Sequence, residues 1–206
     1  MIRALLAAGI LACFSLSAQA TPVTFDLAGA PTSSVEVVDF DGGFLCDITG
    51  CGVTATLNPL LGSLNRTLDV GESWNFDFFT LGFKGLGGGT GTLSASLGFD
   101  LPTGAPVAAG TGEGGFGTFL GFISGGNLNW VTQPGVFSLA DGSQYSVTFA
   151  NLSGLTIGSA VVGATITLLQ SASAVSVPEP GTLSLFGLGL LAVGFLARRR
   201  QRQLTA

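Results

Sequence analysis

The stretch GVFSLADGSQYSVTFANLSG, Gly135 to Gly154, decides the fold class. Successive side chains of an extended strand point to opposite faces, so Tyr145, Val147 and Phe149 share one face and Ser146, Thr148 and Ala150 the other. Asp141-Gly142 suits a two-residue type I′ turn, whose central residues both need positive φ. It therefore predicts a hairpin between residues 136–140 and 144–150.

Working outward, the same period of two recurs in TGTLSASL, where Leu93, Ala95 and Leu97 oppose Thr92, Ser94 and Ser96. The runs VTFDLAG, SVEVVDFDGG, GVTATLNP, SWNFDFFTLGF, FGTFLGFISG and SAVVGATITLLQ are rich in β-branched and aromatic residues and are punctuated by Gly, Asp and Asn. About eight short strands, with no helical stretch outside the two ends, predict a mainly β chain folded as an antiparallel β-sandwich or jelly roll. Residues 85–91 (GLGGGTG) and 108–117 (AAGTGEGGFG) read as connections, because glycine raises the ordering entropy and offers no side chain to pack. No fixed-period repeat is evident, so a solenoid with flat ice-binding rows is not supported.

Both ends read as processing segments. Arg3 gives a positive start, residues 4–16 an apolar run, and Ala18-Gln19-Ala20 the small-x-small pattern that signal peptidase accepts. Residues 1–20 are thus a signal peptide cleaved between Ala20 and Thr21. Ile10-Leu11-Ala12-Cys13 offers a competing lipoprotein reading with Cys13 as the lipidated residue. Residues 21–176 form one passenger domain and residues 177–206 a tail. Within the tail, Val177-Pro178-Glu179-Pro180-Gly181 precedes an apolar segment at about residues 182–197, and Arg198, Arg199, Arg200 and Arg202 lie in the last stretch, 198–206. Pro178 and Pro180 can continue neither strand nor helix, which leaves the motif extended and accessible to a processing enzyme. The 15 apolar residues from Leu183 to Ala197 rise only about 22 Å as a helix against a hydrocarbon core of roughly 30 Å, a short transmembrane span. The arginines orient it with the tail in the cytoplasm and the passenger outside. An ordinary single-span anchor is the alternative.

The ordered combination VPEPGTLSLFGLGLLAVGFLARRR resembles the PEP-CTERM sorting signal of Gram-negative bacteria, over about thirty residues. The resemblance implies that Pro178, Glu179 and Pro180 are recognised by an exosortase, a membrane-embedded cysteine protease-like enzyme that cleaves nearby. It implies Sec-type export, passage through the inner membrane by the C-terminal helix, and a cell-surface or extracellular destination in a producer of exopolysaccharide. A tail of this kind is also classified as an ice-binding protein C-terminal motif.

The chain has no His. Of its seven basic residues only Arg66 and Lys84 fall in the passenger, against eleven of the twelve acids, a net charge of −9. Such a surface argues against nucleic acid, whose phosphates require clustered Lys and Arg. Without His the usual Ser-His-Asp and Cys-His chemistries are excluded. Cys46 and Cys51 are expected to form a disulfide in the oxidising exported setting, and no cofactor or metal site is expected. Asp39, Asp41, Glu72, Asp77 and Glu113 are the acids from which a glycoside hydrolase would draw its pair. Asp39-Phe40-Asp41-Gly42-Gly43 has alternate carboxylates as in a calcium loop but lacks an EF-hand's remaining ligands. Residues 85–89 resemble a phosphate loop only in being glycine-rich. Trp74, Trp130 and Tyr145 are candidates either for stacking on sugar rings or for the core. Asn65-Arg66-Thr67 and Asn151-Leu152-Ser153 match a glycan-acceptor pattern too short to predict modification. The leading expectation is a non-enzymatic structural or adhesive surface protein. The alternatives are a carbohydrate- or ice-contacting module and an acid-pair glycoside hydrolase.

Overall fold

The computed structural model describes residues 20–119, 122–153 and 159–172. Residues 1–19, which hold most of the expected signal segment including Ala18, lie outside the described residues, as does the expected tail with Pro178, Glu179, Pro180 and its arginines. Ala20 and Thr21 open the described chain and are exposed. Among the described residues no helix is long and apolar enough to cross a membrane.

The strands are β1 (Val23–Leu27), β2 (Ser34–Gly42), β3 (Gly52–Leu57), β4 (Asn65–Leu68), β5 (Ser73–Lys84), β6 (Gly87–Leu97), β7 (Phe99–Leu101), β8 (Ala108–Phe119), β9 (Phe122–Thr132), β10 (Gly135–Ser138), β11 (Gln144–Phe149), β12 (Leu152–Ser153) and β13 (Ser159–Gln170). A short helix, α1 (Phe44–Thr49), interrupts them, where the sequence reading expected no helix. A first five-stranded sheet has the order β10-β11-β13-β5-β3 and a second the order β12-β9-β8-β6-β2. A small third sheet is ordered β4-β1-β7. Every pairing in them is antiparallel. The result is a β-sandwich-like fold.

The core is where the inner faces of the sheets meet. Val162, Ile166 and Leu168 of β13, Phe78 and Phe79 of β5, and Tyr145 and Val147 of β11 are buried from the first sheet. Leu93, Ala95, Leu97, Leu128 and Trp130 face them from the second. Aromatic pairs cross the gap: Phe79 meets the edge of Trp130 with ring centres 6.3 Å apart, and Phe83 meets Phe116 at 4.8 Å. Phe25 of the small sheet packs edge-on against Tyr145 at 5.2 Å. Trp74 lies against Phe76, and the Trp130 Nε1–H donates to the Ala150 carbonyl at 3.0 Å. Trp74, Trp130 and Tyr145 are thus core residues rather than a sugar platform.

Two local expectations need correction. β10 and β11 pair in the expected hairpin, but its turn is not type I′. The Leu139 N–H donates to the Ser143 carbonyl, and the Gly142 N–H closes a four-residue turn onto the Leu139 carbonyl. Three residues therefore separate the last bonded pair, with Gly142 at φ 89°, the pattern of a type I turn followed by a glycine bulge. The Asp141 carboxylate stabilises it by accepting from the Ser143 N–H and hydroxyl.

The second correction is larger. Apart from the Gly85-Leu86 turn, the glycine-rich stretches are not connections but parts of two interior strands of the second sheet, β6 and β8, paired residue by residue from Gly87↔Thr118 to Leu97↔Ala108. Rings from adjacent strands and from the facing sheet, together with the carbonyls of adjacent strands, occupy the space their side chains would take. A Cβ on Gly89 would lie 2.7 Å from the Phe40 ring, one on Gly110 3.1 Å from Phe149, and one on Gly112 3.3 Å from Trp130. Glycine packs here by receiving an aromatic face, which composition alone does not display.

Candidate functional site

The outer face of the second sheet carries the candidate site. Because β2, β6, β8 and β9 lie side by side in one register, their solvent-facing residues form rows across the sheet. Asp41 lies beside Thr90, Gly115 and Asn127 in one row, and Asp39 beside Thr92, Glu113 and Asn129 in the next. Period-two alternation brings each strand's pair to the same side: Asp39 and Asp41 point out while Phe40 points in, stacked on Phe116. Bulges at Val37/Asp39, Thr111/Gly112 and Gly117/Thr118 bend this sheet. These rows line a groove of about 560 Å³ whose floor includes the backbone of Gly91, Gly114 and Gly115.

The groove concentrates unspent hydrogen-bonding capacity in one place. At four other places outward hydroxyls pair across strands: Thr24 with Thr67 at 2.8 Å, Ser34 with Ser96 at 2.7 Å, Ser73 with Thr167 at 2.8 Å and Thr111 with Thr132 at 2.6 Å, while Thr56, Thr80 and Thr148 stand singly on the first sheet. Among the described residues, the side chains of Asp39, Asp41, Thr90, Thr92, Glu113, Asn127 and Asn129 have no such partners. A carboxylate accepts, an amide both donates and accepts, and a hydroxyl does either, so the groove presents a mixed array to a polar ligand.

The five acids singled out in the sequence therefore divide. Asp39, Asp41 and Glu113 meet in the groove. Glu72 lies elsewhere, its carboxylate taken by the Asp69 N–H at 3.2 Å and the Arg66 guanidinium at 2.7 Å; together these hold it below the usual Glu range. Asp77 is exposed on β5 in the first sheet. The stretch Asp39 to Gly43 is no calcium loop: Asp39 to Gly42 belong to β2, which directs the carboxylates along one face instead of around a cation. Among the described residues no group of three or more His, Cys, Asp or Glu is arranged to hold a metal ion.

Asn127, Asn129 and Gly115 were not singled out from the sequence. The signal was present for the asparagines in the alternation Asn127-Leu128-Asn129-Trp130, whose apolar members are buried. For Gly115 nothing local marks it, since its role depends on which strands flank β8.

At one end of the sandwich Cys46 and Cys51 are joined in a disulfide across α1. The Gly85-Leu86 turn, which carries the chain from the first sheet to the second, packs there. The Thr49 hydroxyl bonds the Leu86 carbonyl at 2.5 Å, and the Gly43 N–H donates to the Gly88 carbonyl at 2.9 Å. This is the segment that resembled a phosphate loop. It serves as a corner between sheets, with positive φ at Gly85 and Gly87.

The described residues thus make a β-sandwich-like passenger with a polar outer groove. Residues 176–200 match the PEP-CTERM protein-sorting motif, which marks an exported, surface-directed protein handled by an exosortase-type system. No curated protein and no solved structure matches the chain.

Proposed function

We propose that the passenger is a non-enzymatic, adhesive component of the extracellular polymer and that its groove holds an uncharged, hydroxyl-rich glycan. The carrying observation is the array of unpartnered carboxylates, amides and hydroxyls around a glycine floor. Sugar hydroxyls donate to carboxylates and exchange bonds with Asn amides, and a floor without side chains lets a chain lie close to the backbone. The net charge of −9, with three of the acids in the groove, disfavours an acidic polymer.

The delivery route belongs to the same reading. Sec-type export is followed by signal peptidase cleavage between Ala20 and Thr21. The segment at about 182–197 holds the chain transiently in the inner membrane with Arg198, Arg199, Arg200 and Arg202 inside, and an exosortase-like enzyme recognises Pro178, Glu179 and Pro180. Intact mass and membrane fractionation from the native host test it. The wild type is expected to lack residues 1–20 and the arginine tail, and Glu179→Ala to remain full-length at its C-terminus in the membrane. Retention of the tail in both makes the segment an ordinary anchor.

The groove is tested by Gly115→Val. A Cβ at Gly115 meets nothing closer than 3.5 Å, so valine puts a branched apolar side chain on the groove floor at a position where its Cβ fits. Retention of the secreted protein on the producer's polysaccharide is expected to fall while thermal stability holds. Unchanged retention removes the groove from the proposal, and thermal hysteresis in place of retention would favour ice contact.

One observation favours a second reading. Asp39 and Glu113 share a row two strands apart, so their backbones lie about 9.6 Å from each other, close to the carboxyl spacing of roughly 6.5–9.5 Å in inverting glycosidases. A hydrolase would release reducing ends and lose that activity in Asp39→Asn and Glu113→Gln. No release across a broad glycan panel ends that reading.

A further inference from the structure

Three large apolar side chains of α1 are turned to solvent: Phe44 is 77% exposed, Leu45 57% and Ile48 66%. Leu86, 40% exposed, joins them from the adjoining corner, where Thr49 ties α1 to the Leu86 backbone. Cys46 is the buried residue of the helix, and its disulfide to Cys51 fixes the turn that displays the others. A surface helix usually turns its apolar stripe to the core. Here the cross-link and the corner hydrogen bonds hold that stripe outward.

We infer that this knob is a lipid contact, inserting Phe44, Leu45, Ile48 and Leu86 into the apolar edge of a zwitterionic bilayer. Its size argues against a protein partner. A stable pairing of two copies buries about 800 Å² per partner, and four side chains on a single helical turn and a corner fall short of that area. A convex apolar knob needs no shape complement in lipid, where burial of apolar area with an aromatic at the interface suffices.

Charge selects the lipid class. Asp47 of α1 and Lys84 at the end of β5 bring one charge of each sign to this end of the sandwich, while the passenger as a whole carries −9. A zwitterionic surface is therefore preferred to an anionic one.

The chain's course supplies the encounter. From Ala172, where the described sandwich ends, ten residues lead to the apolar run that begins at Leu183, a reach of at most about 36 Å. A chain held by its tail keeps the passenger near the bilayer, and a chain whose tail is removed keeps the knob. The contact is separate from the exit point. β13 leaves beside Ser73, the opposite end of the twelve-residue β5 from Lys84, about 37 Å along the strand.

The test uses the full-length protein with benzoylphenylalanine in place of Phe44, reconstituted into phosphatidylcholine/phosphatidylethanolamine vesicles and illuminated. Adducts are weighed by mass spectrometry. The same label in place of Val136, exposed on the edge strand β10 four strands from β3, is the reference. Lipid adducts at position 44 are expected to exceed the reference about tenfold, and Ile48→Ser with Leu86→Ser to bring them down to it. Adding anionic lipid is expected not to raise the yield. Equal lipid yields at the two positions overturn the inference, as do adducts at position 44 whose mass is that of a second protein chain. A yield that appears only with anionic lipid overturns the zwitterionic assignment.

Discussion

β13 and β8 are both twelve residues long, both central in a five-stranded sheet, and opposite in construction. β13 alternates Ala160, Val162, Ala164, Ile166 and Leu168 toward the core with residues facing solvent, and fills its share of the interior with its own side chains. β8 has Gly110, Gly112 and Gly114 at inward positions, and Phe149 from β11 of the facing sheet with Leu128 and Trp130 from adjacent β9 fill the space over the first two. One strand supplies apolar volume and the other receives it. Both routes reach dense packing, but they fail differently: β13 by losing atoms and β8 by gaining them.

The largest expected effect is on the supplying side. Ile166 is fully buried between β11 and β5, so Ile166→Ala removes three carbons with no neighbour free to collapse into the gap. A loss of about 4 kcal/mol is expected in denaturant unfolding. A loss below about 1 kcal/mol would mean that the regular sheet packs loosely, and the contrast with β8 would fail.

Tyr145, on the same inner face, adds a pH test. Its hydroxyl is buried without a hydrogen-bond partner among the described residues, and burial pushes its pKa up to about 12. Tyrosine in the unfolded chain titrates near 10, so the unfolded state loses its proton first as pH rises. Stability is expected to be insensitive to Tyr145 below about pH 10 and to fall by up to about 1.4 kcal/mol per pH unit between pH 10 and 12. Tyr145→Phe should remove that slope, read from urea midpoints at stepped alkaline pH. A slope that survives the substitution assigns the titration elsewhere.

The supplying side is also the legible side. Leu93, Ala95 and Leu97, and Tyr145, Val147 and Phe149, are buried in the phase that period-two alternation assigns to them. β8 was illegible because its apolar contribution is written in other strands: Phe149 lies 39 positions from Gly110, and nothing local to AAGTGEGG announces a ring above it. The groove shares that limit. Asp39, Asp41 and Glu113 could be named as acids, but their meeting depends on β6 pairing with β2 on one side and β8 on the other, a register set across more than seventy positions. Asp77 has the same chemistry and alternation and lies in the other sheet. The hairpin at 139–143 was legible in place but not in type, because Asp-Gly suits both a two-residue turn and a turn closed by a glycine bulge.

Within β8 itself, adjacent glycines separate the two roles. A Cβ on Gly114 would stand 2.6 Å from the Asn127 carbonyl oxygen, a backbone atom that cannot rotate away. Gly114→Ala is therefore expected to lower stability by about 2 kcal/mol as β8 and β9 are forced apart. Gly115 points to the opposite face, where a Cβ meets Thr90 Cγ2 at 3.5 Å and the Asn127 amide oxygen at 3.7 Å, ordinary contacts. Neither position requires positive φ. Gly115→Ala is expected to change stability by less than about 0.5 kcal/mol, or to raise it slightly, because alanine narrows the unfolded ensemble where the folded backbone accepts it. If thermal melts find both substitutions equally harmful, the close approach to the Asn127 carbonyl is not what separates the two positions. If only Gly114→Ala is harmful, the glycine at 115 is not required by the fold, and its absent side chain is left to be explained by the groove above it.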